Sequence, residues 1–346
     1  MSAHSILAAV LCFALTACSA PGPVEIPVTS TRFDALKPDE LVEFRSARAA
    51  FDAHDFNRAQ LEFERLFAAD PVNVCIGTWI QECEFRSGGP AEKIAERWAE
   101  RARLVDSAPN EVLAARVAID VESRVAALAR AEAIDPQCAW IHYARAFDCA
   151  ATSDWPAARA QIAKAKESDP GHLWTYWLEA WIATRTAALE DAGSALSGFV
   201  LRARDDPRIQ RTLLDDARLD LALVWTLTGE SRDARELVLE VDPNGPDAAR
   251  RFAALALVRQ ALGDLKGALA AAEDAERVSP DDMLPVVQQA LLYDEWLEDD
   301  VRAEAAWKRA LAMARSSTRL VSVLERTRAG VRLERFAAAR AKRERP

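Results

Sequence analysis

Histidine is scarce in this chain, four in 346 residues, and that scarcity removes most catalytic and metal-binding arrangements at once. His4 lies at the extreme amino end, and His54, His142 and His172 are far apart. None of them stands in an H-E-x-x-H setting, and neither a C-x-x-C pair nor a G-x-S-x-G turn occurs. Glycine is also sparse, at twelve, and β-branched runs are few, so there is no strand for a phosphate-cradling glycine loop to follow. The acidic doublets Asp205-Asp206, Asp215-Asp216, Asp281-Asp282 and Asp299-Asp300 have no calcium-loop spacing and read as helix caps. The sequence therefore calls for no enzyme activity, no metal and no cofactor. Positive charge is in deficit too: 44 Lys and Arg stand against 54 Asp and Glu, a net −10, which excludes a general nucleic-acid surface. No apolar run is long enough to span a bilayer, the longest candidate being Ile6–Leu15.

What the chain has in quantity is alanine at helical spacing. Residues 249–282 set the pattern. Phe252, Leu255, Ala256 and Leu262 mark one face of a first helix, and Gly263-Asp264 turns the chain. Ala268, Ala272 and Ala275 form the seam of a second helix, and Pro280 stops it. Such a hairpin buries too little alone and requires copies on either side. Those copies are present. Asp55-Phe56 and Asp154-Trp155 repeat the turn, and Ala59, Phe63, Leu66 and Ala158, Ile162, Ala165 repeat the seam. Ala195 with Phe199, then Ala303, Trp307 and Ala310, follow. Prolines at 71, 109, 136, 170, 207, 243 and 280 close seven units, with spacings of 38, 27, 34, 37, 36 and 37.

Leu255, Ala256, Gly263, Ala268, Ala275 and Pro280 fall on the pattern of the tetratricopeptide repeat, and the chain resembles that family over most of residues 40–316. The resemblance implies an all-α, right-handed superhelical solenoid of about eight hairpins, with first helices lining a concave face that takes a protein or peptide partner. Residues 317–346 are expected to form a basic capping helix, with Leu320, Val323, Leu324, Val331 and Phe336 over the open end of the stack. From Thr318 to Pro346 nine Lys and Arg oppose three Glu, a local +6. That basic face reads either as ordinary solvation or as a surface for an acidic partner or anionic lipid.

The amino end carries a second resemblance. Leu15-Thr16-Ala17-Cys18 resembles the lipobox of bacterial lipoproteins, although the residues before the apolar run include His4 and no Lys or Arg. This implies a signal peptide over 1–17, lipidation at Cys18, a flexible tether over 18–39 and, with Ser19 following the cysteine, a membrane anchor on the periplasmic face of the outer membrane. Cys75, Cys83, Cys138 and Cys149 remain. On one continuous helix Cys75 and Cys83 would lie roughly 12 Å apart, too far to bridge, which favours buried thiols; a bridge requires the helix to break at Gly77.

Two adjacent units carry matching aromatics. At offsets 4, 7 and 11 from Pro136 stand Trp140, Tyr143 and Phe147; at the same offsets from Pro170 stand Trp174, Trp177 and Trp181. Spacing of three and four puts each trio on one helix face. Core packing explains them, and so does an aromatic groove in which His142, Arg145 and Arg185 supply polar contacts. In the groove reading the partner is a protein or peptide; the alternative is a glycan or small ligand stacked on the rings.

Overall fold

The computed structural model describes residues 36–37, 40–204, 209, 211–315 and 329–339. The expected leader over 1–17, Cys18, and the 18–39 tether apart from positions 36 and 37 lie outside the described residues. So do Asp205-Asp206, Pro207, Leu320, Val323 and Leu324. Every described element is helical. The chain forms two compact units, one within residues 19–210 and one from residue 211 onward.

The amino-terminal unit contains five hairpins. They are α1 (Glu40–Asp52) with α2 (Phe56–Ala69), α3 (Val74–Arg86) with α4 (Ala91–Leu104), α5 (Ala108–Val117) with α6 (Val121–Ile134), α7 (Ala139–Ala151) with α8 (Trp155–Ser168), and α9 (Leu173–Arg185) with α10 (Leu189–Ala203). Successive first helices α3, α5, α7 and α9 pack on one another. The carboxy-terminal unit contains α11 (Arg211–Thr228) with α12 (Ser231–Leu239), α13 (Ala248–Ala261) with α14 (Leu265–Val278), and α15 (Met283–Leu291) with α16 (Asp300–Arg315). A helix over 329–339, α17, follows.

One device makes most of the tight turns. The residue before the second helix's N-cap is left-handed: φ is 63° at His54, 62° at Ser153, 56° at Ala187, 98° at Gly229 and 79° at Gly263. The next N–H then donates to the carbonyl five residues back, Asp55 to Ala50 at 2.9 Å, Asp154 to Cys149 at 2.8 Å and Asp264 to Arg259 at 2.9 Å. This is how a left-handed residue closes a helix and satisfies its last carbonyls. The same aspartates open the following helix, their carboxylates accepting from the N–H of Arg58, Ala157 and Gly267. Each thus ends one helix with its backbone and starts the next with its side chain.

Four second helices, α2, α6, α8 and α14, stop at a residue that precedes proline, whereas Pro109, expected to close a unit, lies in the first turn of α5. Asp70, Asp135 and Asp169 have φ of −134°, −145° and −147°, extended values that a following proline ring enforces. The seams expected from the sequence are all core: Ala59, Phe63, Leu66, Ala158, Ile162, Ala165, Ala268, Ala272, Ala275, Ala303, Trp307 and Ala310 are at most 3% exposed. Leu262 departs from expectation. It is 40% exposed, because it is the C-cap of α13 and turns away with the loop.

Helix α3 runs unbroken through Gly77, so Cys75 and Cys83 stay on one helix as thiols, as do Cys138 and Cys149 elsewhere. Burial pushes the Cys83 thiol up to about 12. Gly77 is required by close packing instead: a Cβ there would collide with the Leu113 side chain of α5. The Ser87-Gly88-Gly89-Pro90 linker lets α4 leave its own partner α3 and pack chiefly on α5.

In α17, Ala329 and Phe336 are buried, whereas Val331, expected to cover the stack, is 62% exposed. The basic face expected here is turned partly inward. Arg332 and Arg335 reach Asp294, and Arg332 also reaches Glu295. Asp294 sits in a π-helical turn, Leu292–Trp296, that extends α15. Its fully buried carboxylate also accepts from the Trp307 indole N–H at 3.2 Å.

Candidate functional site

The two aromatic trios lie on α7 and α9 of the amino-terminal unit, and the structure divides them by depth. Trp140 is 3% exposed, its ring edge-on to Tyr143 at 5.4 Å and to His172 at 4.5 Å. Trp174 is 1% exposed, against Trp177 at 5.9 Å and Phe199 at 6.3 Å. These two are core residues with no ring face to offer, because the next hairpin covers the first of them and α10 covers the second. Tyr143 is also buried, and burial raises its phenol well above the usual range. Phe147, Trp177 and Trp181 are half-buried.

The arginines separate as well. Arg145 turns back to α6, where its guanidinium donates to both oxygens of Glu132 at 2.9 and 2.7 Å. This bidentate bond holds the Glu132 carboxyl below its ordinary range, so Arg145 is committed within its own fold. Arg185 is exposed, lies 5.1 Å from the centre of the Trp181 ring, and forms no ion pair with a described residue. Trp155, at the start of α8, meets Trp181 edge-on at 6.1 Å. The surface element is therefore Phe147, Trp177, Trp181 and Trp155, with Arg185 over Trp181.

Polar residues are buried with these rings. His172 is fully buried at the N-cap of α9, its Nδ1 2.6 Å from the Thr175 hydroxyl, and its Nε2 has no partner. Burial pulls the imidazole down to about 4, so it is neutral in the folded protein. His142, also buried, lies 3.1 Å from Gln161 through Nδ1. On α5, Arg116 donates to Gln81 at 2.8 Å and to Glu82 at 2.5 Å, and Arg124 on α6 pairs with Asp148 on α7 at 2.8 Å. Each pair joins one hairpin to the next, which fixes the spacing of the first helices under the aromatics. The ion pairs, which sequence reasoning missed, carry no local signal, since Arg116 and Arg124 find their partners in a neighbouring hairpin.

No protein-family model matches the sequence, and no curated protein sequence matches it. Solved structures do. The Cut9–Hcn1 hetero-tetramer of the APC/C aligns with a TM-score of 0.50 at 14% identity, over 83% of this chain and 55% of that one. YrrB, described as a TPR protein with an unusual peptide-binding site, aligns at 0.47 and 17% identity over 56% of this chain and 97% of that one. Yeast Tom70 aligns at 0.45 and 14% identity over 99% and 74%. The chain has a fold of the tetratricopeptide-repeat type, all-α and built from stacked hairpins.

Proposed function

We propose that this chain is a non-catalytic scaffold that holds a peptide or protein partner along α7 and α9, in the bacterial cell envelope, anchored through lipid on Cys18 at the periplasmic face of the outer membrane. The observation that carries the partner site is the set of half-buried rings Phe147, Trp177 and Trp181, with Trp177 against the buried Trp174 ring and exposed Arg185 over Trp181. Aromatics locked from below present apolar area at little ordering cost, which is what a partner-binding surface needs. The similar Cut9–Hcn1 hetero-tetramer supports the use of such a fold in assembling other chains. Glycan stacking fits less well: Trp140 and Trp174 are out of reach, and the Trp181 ring already carries Arg185.

The test is crosslinking and capture from native envelopes with the full chain and with the Trp177→Ala/Trp181→Ala variant, checked for equal helicity. One protein captured by the wild type and lost from the variant is the expected result. Equal capture by both, or none by either, would sink the proposal for this site. The anchor is tested apart from it: Cys18→Ser should leave the membrane fraction, and the amino-terminal peptide of the wild type should carry acyl mass.

A further inference from the structure

A cleft of about 290 Å³ opens between α2, α3 and α4, away from the aromatic row and sharing no residue with it. Its origin is the displaced α4 described above. It opens where α4 leaves α3 and packs chiefly on α5. The floor is apolar: Phe67, Ile80 and Trp98 are at most 4% exposed, and the Phe67 and Trp98 rings lie 5.7 Å apart. One wall carries Glu84, whose buried carboxylate accepts from the Trp98 indole N–H at 3.1 Å and pairs with Arg97 at 2.9 Å. That carboxylate is fully engaged.

Arg101, on the other wall, is not. Its guanidinium carbon lies 4.0 Å from the Phe67 ring centre and 5.7 Å from Trp98. It forms no ion pair with a described residue, and its Nε is buried without a hydrogen-bond partner. Its neighbours on α4 differ: Arg97 holds Glu84, and Arg103 holds Glu100 at 2.6 Å. A guanidinium stacked on two rings and partly removed from water keeps an unmet demand for an anion. Burial accordingly draws Arg101 below its ordinary range. Glu64, exposed at the rim, lends Arg101 part of a counter-charge without an ion pair, and its charge weighs most against a dianion such as phosphate.

We propose that this cleft binds a monocarboxylate carried on a compact apolar stem, with the carboxylate on Arg101 and the stem against Phe67, Ile80 and Trp98. The same chemistry is offered by a free small acid and by the terminal carboxylate of a peptide ending in an apolar residue.

The experiment uses the full chain uniformly labelled with ¹⁵N, titrated with 3-phenylpropionate. The reporter is the Arg101 Nε–H resonance, assigned by its loss in Arg101→Lys. A saturable shift at millimolar ligand is expected. The amide of the same acid, and inorganic phosphate, should bind about tenfold more weakly or worse, the factor a charge-assisted hydrogen bond supplies. Arg101→Met keeps the stacked stem and should retain its unfolding midpoint, yet lose the shift that the acid causes in the Trp98 indole N–H resonance. An acetylated dipeptide ending in phenylalanine identifies the source: affinity above that of the free acid names a chain terminus, and affinity below it names a small acid. No saturable shift in the wild type, equal binding of the amide, or full binding by folded Arg101→Met would each overturn the proposal.

Discussion

His172 is where a single side chain sets a measurable property. It is buried and neutral, with a folded pKa of about 4 against an ordinary value of 6.5. The unfolded chain therefore binds the proton first as pH falls, and stability contributed by the neutral ring is full above pH 6.5 and lost toward pH 4. The loss has a ceiling of about 3 kcal/mol, from 1.36 kcal/mol per pKa unit. Urea midpoints of the wild type measured from pH 7.5 to 4.5 should fall more steeply than those of His172→Asn. Parallel curves would show that the ring does not titrate in this way. The same scale shows how far sequence reaches. Spacing put Trp140 and Trp174 on like positions of like helices. It could not tell that His172 seals the first ring, or that Arg145 turns back to Glu132. Those depend on contacts from other hairpins.

At the scale of the element, the turns were legible in their chemistry and not in their strain. The recurrent aspartate before the second helix announced a cap, and Asp55, Asp154 and Asp264 are caps. The left-handed residue before it is glycine at Gly229 and Gly263, but serine at Ser153 and alanine at Ala187. A side chain in that conformation costs about 1–2 kcal/mol, of which glycine's greater unfolded entropy offsets a part. Ala187→Gly and Ser153→Gly should each raise stability by about 0.5–1 kcal/mol, and Gly263→Ala should lower it by about 1 kcal/mol. Denaturant melts of the three variants check the signs, and a loss in Ala187→Gly would contradict the strain. The displaced α4 was half visible: Gly88-Gly89-Pro90 marked a break, but nothing local said that α4 would turn to α5.

For the whole molecule, the repeat count and helical class were readable because each hairpin repeats the same signals at a nearly fixed period. The cleft and the buried ion pairs were not, since they join residues from different repeats. Both the aromatic row and the Arg101 cleft lie in the amino-terminal unit, which holds its own core. In a repeat fold stability is nearly a sum of neighbouring terms, so a piece that keeps its neighbours keeps its structure. A fragment of residues 36–210 should fold cooperatively with helical circular dichroism and capture the same partner as the full chain. An unfolded fragment would show that these five hairpins depend on the rest.

The aspartates that precede proline have a chemical consequence. Asp70, Asp135, Asp169, Asp206 and Asp242 each precede proline. In warm dilute acid a protonated aspartyl side chain attacks its own peptide carbonyl, and the basic proline nitrogen departs readily. These five bonds should break first. The digest should release 136–169 and 170–206 as separate peptides, with one aromatic trio in each.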